Sequence, residues 1–153
     1  MAQLEEVFDL RATLEPKLTA LAVPHATADD AAELERLALA MQRTAAPGPG
    51  RDLDALVPLN RAFHALLVAL AYRPATAAAL AGAVHAPIVL RNFHTYDDAS
   101  LARSLAHHLE IVAAVRAGDA DWAAAVMTAH IHNARAAMIR TAMIRAVREG
   151  TDA

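Results

Sequence analysis

With 153 residues and 16.2 kDa, the chain is long enough for one ordinary domain that buries about 70% of its unfolded surface. Hydrophobic residues make up 56% and charged residues 20%, which excludes a disordered chain. The absence of cysteine excludes disulfides, thiolate zinc sites and cysteine nucleophiles, and a net charge of −3 offers no broad electrostatic footprint for nucleic acid.

Alanine dominates, with 41 residues against 5 glycines, and this bias favours helix from end to end. The start, Met1-Ala2-Gln3-Leu4-Glu5-Glu6, is acidic and has no basic leader composition. The most apolar stretch, Ala65 to Leu90, is interrupted by Arg73-Pro74, Gly82, His85 and Pro87, so no clean membrane span is expected there.

A first helix is predicted from Gln3 to about Val23, kinked at Pro16 and ended by Pro24. A second starts after Thr27, an N-cap followed by Asp29 and Asp30, and stops before the loop Pro47-Gly48-Pro49-Gly50. The third opens at Asp52 and runs to about Tyr72. The fourth starts at Pro74 and reaches about Phe93, bent at Gly82 or Pro87. The fifth follows Asp97-Asp98 and ends at Gly118, and Asp119 caps a sixth that continues to about Arg148. Short connections between about six helices imply a single all-α domain over residues 1–153, an antiparallel bundle.

Eight histidines then carry the chemistry. Asn60 and His64 are one turn apart on a face shared with Leu53, Val57 and Leu67, so both point inward. A second apolar stripe, Leu56, Leu59, Phe63, Leu66 and Leu70, gives that helix another buried side. His108 shares a stripe with Leu101, Leu105, Val112 and Val115, and His130 one with Trp122, Val126, Ala134 and Ala137. The descent from His108 to the turn and the ascent to His130 are each roughly 15–17 Å at about 1.5 Å per residue. The two imidazoles therefore return to the same height. Three inward imidazoles need partners, and one metal ion would satisfy all three at once. Each alone also reads as a hydrogen-bonded core histidine. His107 and His132 tend outward, and His25, His85 and His94 read as solvated or locally bonded.

Asn60-Arg61-Ala62-Phe63-His64, the run His108 to Asp119 and Met127-Thr128-Ala129-His130-Ile131 together resemble the FCD domain. That is the effector-binding domain of the fatty-acid-metabolism-regulator branch of GntR transcription factors. Leu10-Arg11-Ala12-Thr13-Leu14-Glu15-Pro16 is similar to the run that opens such domains. The resemblance implies a divalent transition metal (zinc or nickel, with iron or manganese as further options) held by Asn60, His64, His108 and His130. It also implies a small organic acid beside that metal, a homodimer and a cytoplasmic protein. The family commonly has Asp where this chain has Asn60, a neutral and weaker ligand.

The first reading is thus a metal-dependent sensor of an organic acid. Its distal carboxylate is expected at Arg11, whose alternative is a surface salt bridge to Glu15, and a further contact at Asn133, whose alternative is an interhelical hydrogen bond. The winged helix-turn-helix of such regulators does not precede the domain in this sequence, and Arg135, Arg140, Arg145 and Arg148 read as a solvated face, so no DNA binding by this chain is expected. The second reading is a stand-alone metalloenzyme with the same three histidines, for which Glu15 is the nearest candidate base. Glu110 is expected to face away from His108. A third is a structural dimerisation module with the histidines bonded to one another or to water.

Overall fold

A computed structural model describes residues 2–84 and 92–151. Among the described residues there are six α-helices: α1 (Ala2–Ala22), α2 (Ala28–Ala45), α3 (Leu53–Leu70), α4 (Pro74–Val84), α5 (Asp98–Ala117) and α6 (Ala120–Thr151). Two 3-10 turns, Val23–His25 and Asn92–Thr95, interrupt the connections.

Capping chemistry sets most boundaries. Thr27 and Asp30 form a reciprocal capping box at the start of α2. Asp52 accepts hydrogen bonds from the amides of Asp54 and Ala55, Asp97 from Ser100, and Asp119 from Trp122. Gly118 ends α5 in the left-handed region at φ 69°, where a residue with a Cβ is strained. α1 runs unbroken through the buried Pro16, and α3 likewise contains Pro58.

The expected fourth helix is shorter at its far end. Asn92 and Phe93 belong to a 3-10 turn, tied to the start of α3 by a 2.7 Å contact between His94 Nε2 and Asp54 Oδ1. His85 and the expected bend at Pro87 lie outside the described residues.

The helices pack in a closed circuit, α1 on α6, α6 on α5, α5 on α2, α2 on α3 and α3 on α1, with α4 laid against α1. Within this ring lies one core cluster that includes Phe8, Leu34, Met41, Leu56, Phe63, Ile111, Met127 and Ile131, all at most 1% exposed. Burying such side chains supplies the main stabilising term, about 1.5–3 kcal/mol each relative to exposure. By length and composition α3 is apolar enough to cross a membrane. Here it is one wall of the bundle, with Leu56, Phe63, Leu67 and Leu70 buried.

Some expected faces shift. Trp122, placed on the inward stripe by the sequence, is 37% exposed, because its indole N–H reaches out to Glu110 Oε1 at 3.1 Å. Glu110 itself faces away from His108, as expected. Arg135 and Arg140 lie toward solvent and carry partners there: Arg135 pairs with Asp9, and Arg140 bonds Asp97 and the Ser100 hydroxyl.

Candidate metal centre

Four walls of the ring each contribute to one buried polar cluster. α3 supplies Asn60 and His64, α5 supplies His108, α6 supplies His130, and α1 supplies Arg11 and Glu15. His108 and His130 are 0% and 3% exposed, and the His64 side chain is 14% exposed. The ring centroids of His108 and His130 are 4.6 Å apart, so the two helices do return them to one height. His64 lies 5.2 Å from His130 and 5.7 Å from His108. Phe63, the neighbour of His64 in sequence, packs edge-on against His108 at 4.8 Å and closes that side of the cluster with hydrocarbon.

One nitrogen from each of the three histidines lies within 4.8 Å of the other two. Donors bound at about 2.1 Å around a tetrahedral ion sit about 3.4 Å apart, so modest ring rotations would bring all three onto one ion. The hydrogen-bond inventory fits that use. His64 Nε2 and His130 Nδ1 are buried without a partner, a costly state for polar atoms in one core, while His108 has the backbone of Ser104 beside it. Asn60 stands at the edge of the cluster with its Oδ1 3.0 Å from His108 Nε2, half-buried. A cation at the cluster would thus find three imidazole donors and, beside them, a neutral amide oxygen.

The electrostatics keep the imidazoles ready for such a role. Burial, reinforced by His64, pushes both His108 and His130 well below the usual histidine value of 6.5. For His130 burial comes first, followed by His108 and His64, with Arg11 adding a smaller effect in the same direction. Both rings are neutral near pH 7 and keep a lone pair for a ligand bond.

This has a pH consequence for the metal-free protein. A histidine whose folded pKa lies below its unfolded value of 6.5 binds fewer protons folded than unfolded in acid. Stability is then full above about pH 6.5 and falls as pH drops below it. We expect the urea midpoint of metal-free protein to be lower at pH 5 than at pH 8. Equal midpoints would contradict the buried, neutral placement of these rings.

Glu15 is the residue whose role the sequence shows least. Its carboxylate is 4% exposed, accepts a 2.6 Å hydrogen bond from Arg11 Nε on Oε1, and lies 2.9 Å from His64 Nδ1 through Oε2. Burial alone would raise its pKa, but Arg11 and His64 together overcome that and hold it at about 2. The Arg11–Glu15 bridge is therefore present but buried, not at the surface, with Arg11 itself 4% exposed. Arg11 also stacks over Phe8 at 5.3 Å, and its Nη1 is buried without a partner. As a general base Glu15 is poorly suited, since both oxygens are engaged and its proton affinity is low.

Of the remaining expectations, Asn133 joins α5 to α6. Its Nδ2 donates to the Ser100 carbonyl at 2.9 Å and its Oδ1 accepts from Arg103 Nε at 3.1 Å. That is the interhelical bond, and it engages one hydrogen of Nδ2 and one lone pair of Oδ1. His107 departs from its expected outward position. It is half-buried, its ring lies 6.1 Å from that of His130, and its Nδ1 is buried without a partner. α5 packs on both α2 and α6, so its covered arc is wider than one stripe. His132 is exposed, and His25 is exposed with its ring edge-on to Tyr72 at 5.2 Å.

Comparison with known proteins agrees with this architecture. A solved structure from Streptococcus agalactiae, named GntR, superposes with a TM-score of 0.68 at 25% sequence identity. The match covers 88% of this chain but only 58% of that one. No curated protein matches the sequence. The model of the FCD domain family matches residues 6–133, a span that takes in Arg11, Glu15 and every residue of the histidine cluster, and the chain belongs to that family.

Proposed function

We propose that this chain is the sensing domain of a GntR-type regulator, in which a divalent transition metal on His64, His108 and His130 presents a small organic acid to Arg11. The observation that carries the reading is the meeting of three buried or half-buried imidazoles in one core, with unpartnered nitrogens on His64, His130 and the Arg11 guanidinium. Imidazole donors suit a borderline ion such as zinc or nickel. Three neutral imidazoles and the Asn60 amide leave the ion's charge uncompensated, and Glu15 is already balanced by Arg11. An anionic carboxylate entering the metal's open positions would be drawn in by that charge, while the free Nη1 of Arg11 offers a charge-assisted hydrogen bond to its other end.

The test is a thermal-shift titration with small mono- and dicarboxylates on metal-loaded and metal-stripped protein. Stabilisation is expected only with metal. Arg11→Ala should reduce the ligand-induced stabilisation by about 1.5–3 kcal/mol, the range for a hydrogen bond to a charged group. Because that substitution also unpairs one oxygen of Glu15, the shift is read against the variant's own ligand-free melting temperature. Equal shifts with and without metal would overturn the reading. Turnover of the acid that follows the metal would establish an enzyme instead, a reading for which Glu15 makes a weak base.

A homodimer is part of the same proposal. The exposed Met143 and Ile144 on the last turns of α6 are apolar surface for it, and sedimentation at micromolar concentration checks it. DNA recognition is assigned to a part of the regulator other than this chain. Arg36, Arg51, Arg116, Arg135 and Arg140 are all paired with carboxylates. A fluorescence titration of this chain at physiological salt should therefore show no sequence-dependent DNA binding, and nanomolar, sequence-dependent affinity would contradict this.

A further inference from the structure

Glu15 joins two groups that the proposed function uses for different purposes. One oxygen accepts from Arg11 Nε at 2.6 Å, and the other faces His64 Nδ1 at 2.9 Å. What remains over on each partner is its unpartnered atom, Nη1 on Arg11 and Nε2 on His64. An ionised carboxylate has acceptors and no donor, so a neutral His64 facing it must carry its hydrogen on Nδ1. The lone pair of the imidazole then lies on Nε2, the nitrogen left without a partner.

We propose that Glu15 is the positioning residue of this centre: it fixes His64 in the tautomer whose Nε2 is a metal donor, and it does so from the same carboxylate that orients Arg11. The inference rests on the metal reading for its purpose, but the tautomer itself is a property of the metal-free protein. Arg11 and Glu15 are one turn apart on α1, and His64 lies across the α1–α3 contact, so the three form a rigid relay between two helices. Carboxylate partners of this kind hold ring orientation and raise the basicity of the donor nitrogen.

Substituting Glu15→Gln sharpens the consequence. Arg11 Nε is a donor only and still requires an acceptor, so it retains the new amide's oxygen. The amide's NH2 group is then turned toward His64 Nδ1, which must accept, and the hydrogen moves to Nε2. That nitrogen loses the lone pair the metal needs.

Two measurements test this. Long-range proton–nitrogen correlation spectra of metal-free protein, at about pH 8.5 where an ordinary imidazole is neutral, report the tautomer of each ring directly. The signal of His64 is assigned by its loss in His64→Gln. We expect the Nδ1–H form in the wild type and the Nε2–H form in Glu15→Gln. Cobalt binding, followed by its visible ligand-field bands and by competition with a chelator, should be about 10–100-fold weaker in Glu15→Gln, with altered bands. An Nε2–H form of His64 in the wild type overturns the proposal, and this holds even if Glu15→Gln does not fold. So does a variant that keeps the Nδ1–H form, or one that binds cobalt with wild-type affinity and bands. If the wild type bound no cobalt, the metal reading would fail while the spectra still decided whether Glu15 sets the ring.

Discussion

Replacing Phe63 by Ala should lower the stability of the protein by about 3–5 kcal/mol, the range for truncating a fully buried aromatic ring. Phe63 is 0% exposed and belongs to the main core cluster, so its removal leaves a cavity as well as losing burial. At roughly 2–4 °C per kcal/mol for a domain of this size, the melting temperature should fall by about 6–20 °C. The effect should reach the histidines too. The ring rests edge-on against His108 at 4.8 Å, and without it the imidazole loses that packing support. Metal affinity should therefore drop along with stability, although Phe63 has no ligand atom. Phe63→Leu keeps most of the volume and should cost about 1 kcal/mol. Denaturant unfolding of both variants, with cobalt titrations on the folded fraction, checks the pair of effects. A loss below 1 kcal/mol in Phe63→Ala would mean that this wall of the cluster is not packed as described.

The helical frame and half of the cluster were legible because local chemistry fixes them. Thr27, Asp119 and Gly118 cap the ends they were expected to cap, and Asp52 and Asp97, expected only to lie at helix starts, prove to be the caps there, since capping depends on a few neighbouring residues. The meeting of His108 and His130 follows from counting along two helices joined by a tight turn, and a tight turn leaves little freedom of register. Glu15 was harder to place. Its contact with His64 crosses between α1 and α3, which are separated in sequence by all of α2, and no turn sets their relative height. The signal that existed was the spacing of Arg11 and Glu15, which marks an ion pair but not its burial. Trp122 and His107 failed for a different reason. A stripe drawn from apolar identity assumes one covered face, whereas α5 is flanked by two helices and Trp122 stands in the first turn of α6, near the surface. The fourth helix was expected to reach Phe93, which instead lies in a 3-10 turn beyond Pro87.

The largest change in metal content is expected in the double variant His108→Ala, His130→Ala. Wild-type protein should hold close to one divalent ion per chain, and the double variant close to none, because His64 and the Asn60 amide alone are too few donors to compete with water. The stability effect should depend on the metal. In metal-free protein the His130 ring carries a buried nitrogen without a partner, which already costs free energy, so removing the two rings offsets part of the loss of packing. With metal the comparison changes, since binding only to the folded form adds RT ln(1 + [L]/Kd), about 4 kcal/mol at a thousandfold excess over Kd. Wild type should gain about that much on addition of metal, whereas the double variant should gain nothing measurable. Asn60→Asp works in the opposite direction, as a carboxylate beside His108 would replace a neutral oxygen with a charged one and tighten binding. Elemental analysis after gel filtration, paired with melting curves with and without metal, reads all three proteins. Full metal content in the double variant would place the ion elsewhere, and weaker binding in Asn60→Asp would separate Asn60 from it.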